Sequence, residues 1–267
     1  MKKIRNVLVT GGAGYIGINL QKYLEDRNIC FFSIDPGAES IGRVGSNIDF
    51  VVHLASLPGI VACKNDFEKA VVDNISTAFN IFNITAICEI PVIFTSSQAA
   101  KSPDNTYALM KRICEIEADR FNKDKYHNAD IRVFRLTNVY GGLEYLERKN
   151  TVVKKFIVAN NENSAIMING DGSQIRDFIH VDDVCEAIYL CMQRKERMTK
   201  PVDIGTGIGT SILDLAKMFE YFPDGNSFIP DSENVGASES IADTRRAEKL
   251  FGFKAQKKLG DYIDNWT

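Results

Sequence analysis

The stretch TGGAGYIG, residues 10–17, constrains this chain more than any other. It follows an apolar run, IRNVLVT at 4–10, and leads into Ile16, Leu20 and Tyr23/Leu24, which recur at helical spacing. Gly11, Gly14 and Gly17 at that junction allow a tight strand-to-helix turn and a close backbone approach to an anion. A pyrophosphate suits that place, on the N-terminus of the helix that Tyr15 and Ile16 begin. Glycines alone say little, since turns are rich in them. Strand, glycines, amphipathic helix and then a second strand ending in an acid, FFSID with Asp35, together predict a dinucleotide site. A carboxylate at Asp35 accepts hydrogen bonds from both ribose hydroxyls and repels a 2′-phosphate, which favours NAD over NADP. Arg43, eight residues on, would soften that repulsion.

Further strands are expected at 49–56 (DFVVHLAS), 91–97 (PVIFTSS) and 131–141 (IRVFRLTNVYG). Helices are expected from Asn65 to about Glu89 and from Tyr107 to Phe121. Strands alternating with helices imply right-handed crossovers, hence an α/β fold: a Rossmann-type doubly wound parallel sheet over residues 1–150. After about residue 142 the rhythm changes. A helix at 151–160, a short strand AIMI, the loop NGDGSQIRD, a helix from Asp182 to Arg194 and the brief strand PVDIG follow. Thr210 or Ser211 then caps the helix ILDLAKMFEYF. Residues 151–267 read as a smaller α+β substrate lobe sharing a cleft with the first.

The formal charge of −3, with no basic run, predicts no nucleic-acid surface. No apolar run reaches membrane-spanning length, and the start, MKKIRNVLVTGG, has too short an apolar core for a signal peptide. Six cysteines without a C-x-x-C pair read as small buried hydrophobes in a reducing cytoplasm. His53, His127 and His180 stand in no nucleophile or metal pattern and are read as structural, with no metal site expected.

The second informative stretch is FTSSQAAKSPDNTYALMK at 94–111. Tyr-x-x-x-Lys by itself carries nothing, as Tyr145 and Lys149 repeat the spacing. Tyr107 and Lys111 differ in opening a long helix ten residues beyond a strand that ends in Ser96-Ser97. The carboxyl edge of such a sheet is where ligands bind. A free tyrosine, near pKa ~10, is a poor base at neutral pH. A nearby ammonium and a positive nicotinamide are expected to lower that value, while Ser97 hydrogen-bonds the same substrate oxygen. Arg176, in a glycine-rich loop, suits bidentate phosphate binding, with Asp177 orienting it.

With these residues the chain resembles the NAD-dependent epimerase/dehydratase family, the extended short-chain dehydrogenases that act on nucleotide sugars. TGGAGYIG, HLAS, DNISTAFNIF, FTSS…YALMK, RLTNVYGG, GDGSQIRDFIHVDDV and DTRRAEKLFGF stand in family order over nearly the whole chain. The resemblance implies that Leu54, Ala55, Ser56 and Asn74 line the NAD site and that Thr137 lies near the nicotinamide. It implies that Asn138, Arg176 and Arg245 hold the nucleotide-diphosphate sugar. It also implies a homodimer pairing the helices at about 66–88 and 106–121, which periodicity alone does not give. The chain departs from the family in its short link between Asp35 and Asp49, its abbreviated serine-to-tyrosine loop and its early C-terminus.

Dehydratases of that family carry two acids directly after the catalytic hydroxyl residue; here those positions are Gln98 and Ala99, which do no acid–base work at neutral pH. Two oxidoreductive readings remain. One is a 4-epimerase using bound NAD, with Ser97, Tyr107 and Lys111 as its catalytic set. The other is an NAD(P)H-dependent 4-ketoreductase of an NDP-4-keto-6-deoxyhexose. Asp35 favours the first. A non-catalytic NAD-binding member of the fold is argued against by the joint presence of Ser97, Tyr107 and Lys111.

Overall fold

Strands buried on both faces of a parallel sheet must be apolar throughout, and several stretches of this chain are. The computed structural model describes residues 4–34, 47–126, 128–143, 151–219, 227–229 and 238–266. In it β1 (Asn6–Thr10), β2 (Cys30–Ile34), β3 (Phe50–His53), β4 (Val92–Ser97), β5 (Ile131–Leu136) and, later in the chain, β9 (Val202–Ile204) form one parallel sheet. The order is β2-β1-β3-β4-β5-β9. Side chains alternate between two cores. Val7, Val9, Val52, Ile93 and Phe134 face α1 (Tyr15–Glu25) and the C-terminal half. Leu8, Val51, Phe94 and Val133 face a layer that includes Phe82 and Phe121. β1 lies between β2 and β3, so the chain leaves its carboxyl end toward both sides. A crevice must open at that switch point.

The helical region expected over 65–89 is broken. It comprises α2 (Ile60–Asn65), α3 (Phe67–Val71), a π turn at Val72–Ser76 and α4 (Thr77–Ile87). Asp66 causes the first break: its carboxylate caps α3 by accepting from the Lys69 N–H at 3.0 Å. The next helix, α5 (Thr106–Lys123), starts at Asn105, whose side chain accepts from the Ala108 N–H at 3.0 Å.

The stretch 131–141 is likewise two strands. After β5 the chain turns at Thr137 and forms β6 (Asn138–Tyr140), which leaves the main sheet to pair with β8 (Ile175–His180). Between them lie α6 (Val152–Asn161) and β7 (Met167–Asn169). β8 overturns the loop expected over 169–177, since Arg176 and Asp177 are strand residues. It is followed by α7 (Val181–Met192), then by β9, β10 (Gly209–Ser211), α8 (Ile212–Ala216) and β11 (Ser227–Ile229). Ser211, not Thr210, caps α8, with its hydroxyl accepting from the Asp214 N–H at 2.9 Å. β12 (Glu239–Ser240), α9 (Arg245–Phe251) and α10 (Leu259–Ile263) complete the described chain. The expected division near residue 150 is not followed by the main sheet, because β9 returns to it from the second half.

Four cysteines, Cys63, Cys114, Cys185 and Cys191, are buried as expected; Cys30 and Cys88 are exposed instead. His180 caps α7 through its ring, which accepts from the Asp182 N–H at 3.2 Å. His127 lies outside the described residues.

Candidate active site

The crevice at the switch point is built by the carboxyl ends of β1, β3, β4 and β5. At its floor Gly11 takes φ +70°, and a Cβ on Gly17 would lie 2.4 Å from the Gly12 carbonyl oxygen, so only glycine lets α1 start this close to β1. Gly11, Gly14, Tyr15, Ile16, Gly17, Leu54, Ser56, Ser97, Tyr107, Lys111 and Thr137 line one cavity of about 440 Å³. The helix N-terminus at one end and the serine–tyrosine–lysine set at the other fit an elongated dinucleotide with its pyrophosphate on the glycine turn. Asp35, Arg43, Tyr145 and Lys149 lie outside the described residues.

Two expected cofactor residues stand elsewhere. Ala55 packs beneath the glycine turn, where a Cβ on Gly11 would meet its backbone at 2.8 Å. Asn74 is buried in the π turn and does not line the cavity. Its amide accepts from the Leu57 N–H at 3.0 Å and donates to the Leu57 carbonyl at 3.1 Å. It thereby fixes the loop between Ser56 and Pro58, which do line the cavity.

Ser97 ends β4 and caps the following 3₁₀ turn, accepting from the Ala99 N–H at 3.3 Å. Lys111 is buried and donates from Nζ to the Thr95 carbonyl at 2.9 Å, with Nζ 5.8 Å from the Tyr107 ring centre. Burial pulls the Lys111 ammonium down to about 8. It pushes the Tyr107 phenol up, with the Cys63 thiol adding to the rise. The sequence reading sets a nearby ammonium and a positive nicotinamide together against such a rise; among the protein's own groups, desolvation is the largest influence on the phenol.

A second cavity of about 490 Å³ adjoins the first through Gly59, Asn138, Val139 and Thr151, which line both. Arg176 and Lys155 are its cations, beside Gln174, Phe178 and Ile212. Asn138 donates from Nδ2 to the Asp177 carbonyl at 3.2 Å, which fixes its side chain at the junction. Asp177 does not orient Arg176. Its carboxylate points to the other face of β8, where it accepts from the N–H groups of Thr206, Gly207 and Ala242 and from the Thr206 hydroxyl. Arg245 lines neither cavity; it is 89% exposed and paired with Asp243. The sequence reading missed Thr151 and the Gly59–Val61 wall. Thr151 had a signal, since a threonine before VVKKF is a helix cap, and its hydroxyl accepts from the Lys154 N–H at 3.5 Å. No Asp or Glu lines either cavity among the described residues.

A doubly wound sheet whose glycine turn and Ser–Tyr–Lys set face one cleft defines the extended short-chain dehydrogenase class. Within it, the family model for the NAD-dependent epimerase/dehydratase family matches residues 7–205, and the chain belongs to that family. It is accordingly an NAD-dependent enzyme. A Methanocaldococcus jannaschii protein provisionally named UDP-glucose 4-epimerase is 27% identical, covering 97% of each chain. The dTDP-4-dehydro-6-deoxyglucose reductase of Escherichia coli is 25% identical, covering 97% of this chain and 95% of its own. The solved UDP-glucose 4-epimerase of Thermotoga maritima, with UDP-glucose, shares the fold at TM-score 0.84 and 23% identity, covering 98% of this chain and 97% of that one.

Proposed function

We propose that the protein is a nucleotide-sugar 4-epimerase acting on a UDP-hexose by transient oxidation at carbon 4. The observation that carries this reading is the cavity lining: a serine, a tyrosine and a buried lysine in the cavity that also holds the glycine turn, with no carboxylate lining either cavity among the described residues. Such a lining can move one proton at one oxygen, which oxidation and reduction of a hydroxyl require. It offers no acid for expelling water from the neighbouring carbons. Bound NAD supplies the acceptor and then the donor of hydride at carbon 4, and its positive nicotinamide ring adds a field that lowers the buried phenol.

The residues would act as follows. The glycine turn and the N-terminus of α1 hold the pyrophosphate, and Leu54, Ser56 and Thr137 flank the ring end. Tyr107 takes the proton of the 4-hydroxyl and returns it, Ser97 hydrogen-bonds the same oxygen, and Lys111 keeps its charge beside the phenol. Arg176 and Lys155 offset the diphosphate, and Asn138 meets the sugar at the junction. Asp35, by its charge, favours NAD that stays bound over NADPH that exchanges. We further propose a cytoplasmic homodimer joined through α3, the π turn, α4 and α5, where Phe67, Val72, Leu109 and Ile116 are exposed.

The E. coli relative keeps a 4-ketoreductase in view, and one experiment separates the two. Proton NMR should show UDP-glucose, UDP-N-acetylglucosamine or UDP-glucuronate converted to its 4-epimer with no net change in reduced-nicotinamide absorbance. Stoichiometric oxidation of NADH or NADPH with a dTDP-4-keto-6-deoxyhexose, and no epimer, would replace this reading with the reductase.

A further inference from the structure

Beneath the proposed catalytic pair lies a carboxylate that the mechanism above does not use. Glu115 follows Lys111 by four residues and Tyr107 by eight, so all three lie along one face of α5. Its side chain is 1% exposed. The Ser96 hydroxyl donates to Oε1 at 2.7 Å. Arg135 grips both oxygens, Nε to Oε1 at 2.8 Å and Nη2 to Oε2 at 2.6 Å. Arg112 adds Nη1 to Oε2 at 3.1 Å. Ser96 and Arg135 are register partners on β4 and β5, so one cross-strand pair receives the helix. Ser96 also precedes Ser97, which means the contact that seats α5 is one residue from the strand-borne hydroxyl.

Packing alone does not call for this arrangement. An apolar side chain would fill the space without the desolvation cost of a buried ion. Two guanidinium groups grip this one carboxylate, and its charge also reaches Lys111, while Asp203 on β9 adds a second negative charge toward Arg135. The other titratable groups around the pair are Cys114 on α5, Cys63 on α2 and His53 at the end of β3.

We propose that Glu115 is a positioning residue of the reaction: through Ser96 and Arg135 it sets Tyr107 and Lys111 against Ser97, and its charge governs how readily that pair gives up a proton. The inference rests on the reading of Tyr107 and Lys111 as the proton-transfer pair. On that reading the limbs of a kcat–pH profile report the titration of Tyr107 and Lys111. Removing a negative charge favours proton loss at every step, and removing a positive charge opposes it.

Turnover is followed against pH for the full-length protein and two variants. Glu115→Gln should move both limbs to lower pH by about one unit. Arg112→Gln, which leaves the Ser96 and Arg135 contacts in place and whose side chain is 43% exposed, should move both limbs the other way by a smaller amount. Opposite shifts are not produced by loosening of the helix. Profiles that superimpose on the parent's, whatever the loss of kcat or Tm, would overturn the proposal. If Glu115→Gln does not fold, Arg112→Gln decides alone. Tyr107→Phe guards the underlying reading: if it keeps turnover, the pair is wrongly assigned; if it is inactive and the limbs stay fixed, only the role of Glu115 fails. Should none of the sugars be turned over, the near-ultraviolet phenolate absorbance of the NAD-loaded protein, less that of Tyr107→Phe, must show the same opposite shifts or the proposal fails.

Discussion

At the scale of single residues, position in the cleft was legible where a motif fixed both identity and place. Tyr107 and Lys111 were separable from Tyr145 and Lys149 because only the first pair opens a helix behind a strand ending in hydroxyls. Asn74 and Arg245 were placed by resemblance, and neither lines the cleft. No sequence pattern shows which way a side chain turns: Asn74 faces inward because a π turn rotates it toward Leu57. Arg176 is the residue on which the substrate cavity can be tested. It stands on β8, where its guanidinium is partly buried and its pKa lowered by that burial, with the Asp104 charge acting against the shift. Without it, a bound diphosphate loses a charge-assisted contact of about 1.5–3 kcal/mol. Arg176→Ala should therefore weaken UDP binding by roughly ten- to a hundredfold in calorimetry, with NAD affinity little changed. Equal losses for both ligands would mean that the side chain supports the fold instead.

At the scale of elements, type was easier to read than continuity. The alternating strands and helices of the first half follow from apolar runs and 3.6-residue periods. The breaks do not: Asp66 ends one helix and caps the next, and Thr137 passes the chain from one sheet to another. β8 was hidden because its residues, IRDFIH, put two charges at the start of a short strand after a glycine loop. α5 shows what an element can carry on two faces. One holds Lys111, Cys114, Glu115 and Ala118 against the sheet. The other leaves Leu109 and Ile116 exposed, two turns apart on one line. Apolar side chains repeated at that spacing suit a partner helix. Leu109→Glu with Ile116→Glu should thus convert a dimer to a monomer in sedimentation velocity while leaving the far-ultraviolet CD spectrum unchanged. A parent protein that sediments as a monomer would remove this interface from the account.

At the scale of the whole molecule, the site exists because the parallel sheet places every carboxyl end on one edge and reverses its winding at β1. A doubly wound parallel sheet was readable from the alternation of strands and helices; the order in which the strands pair and the return of β9 were not, since three residues carry no signal of which sheet they join. The same edge gives the fold a dependence on pH. His53 sits where β1, β3 and β4 meet, 1% exposed, its Nδ1 paired with the Thr10 hydroxyl at 2.6 Å and its ring stacked on Phe94. Burial, with the Lys111 charge adding to it, lowers its pKa to about 3. An unfolded chain would protonate the same ring near pH ~6.5. Between those values the unfolded state holds one more proton than the native state, so stability is complete above the upper value and falls as pH drops toward the lower. The slope is at most ~1.4 kcal/mol per pH unit from this one group. Carboxylates add slopes of their own, so the comparison must be a difference. Urea unfolding of the parent and of His53→Asn from about pH 7 to about pH 4 should give curves that converge as pH falls, because the variant has no ring to protonate. Parallel curves would show that His53 takes up its proton in the native state as readily as in the unfolded one, and that the junction of the three strands tolerates a charge.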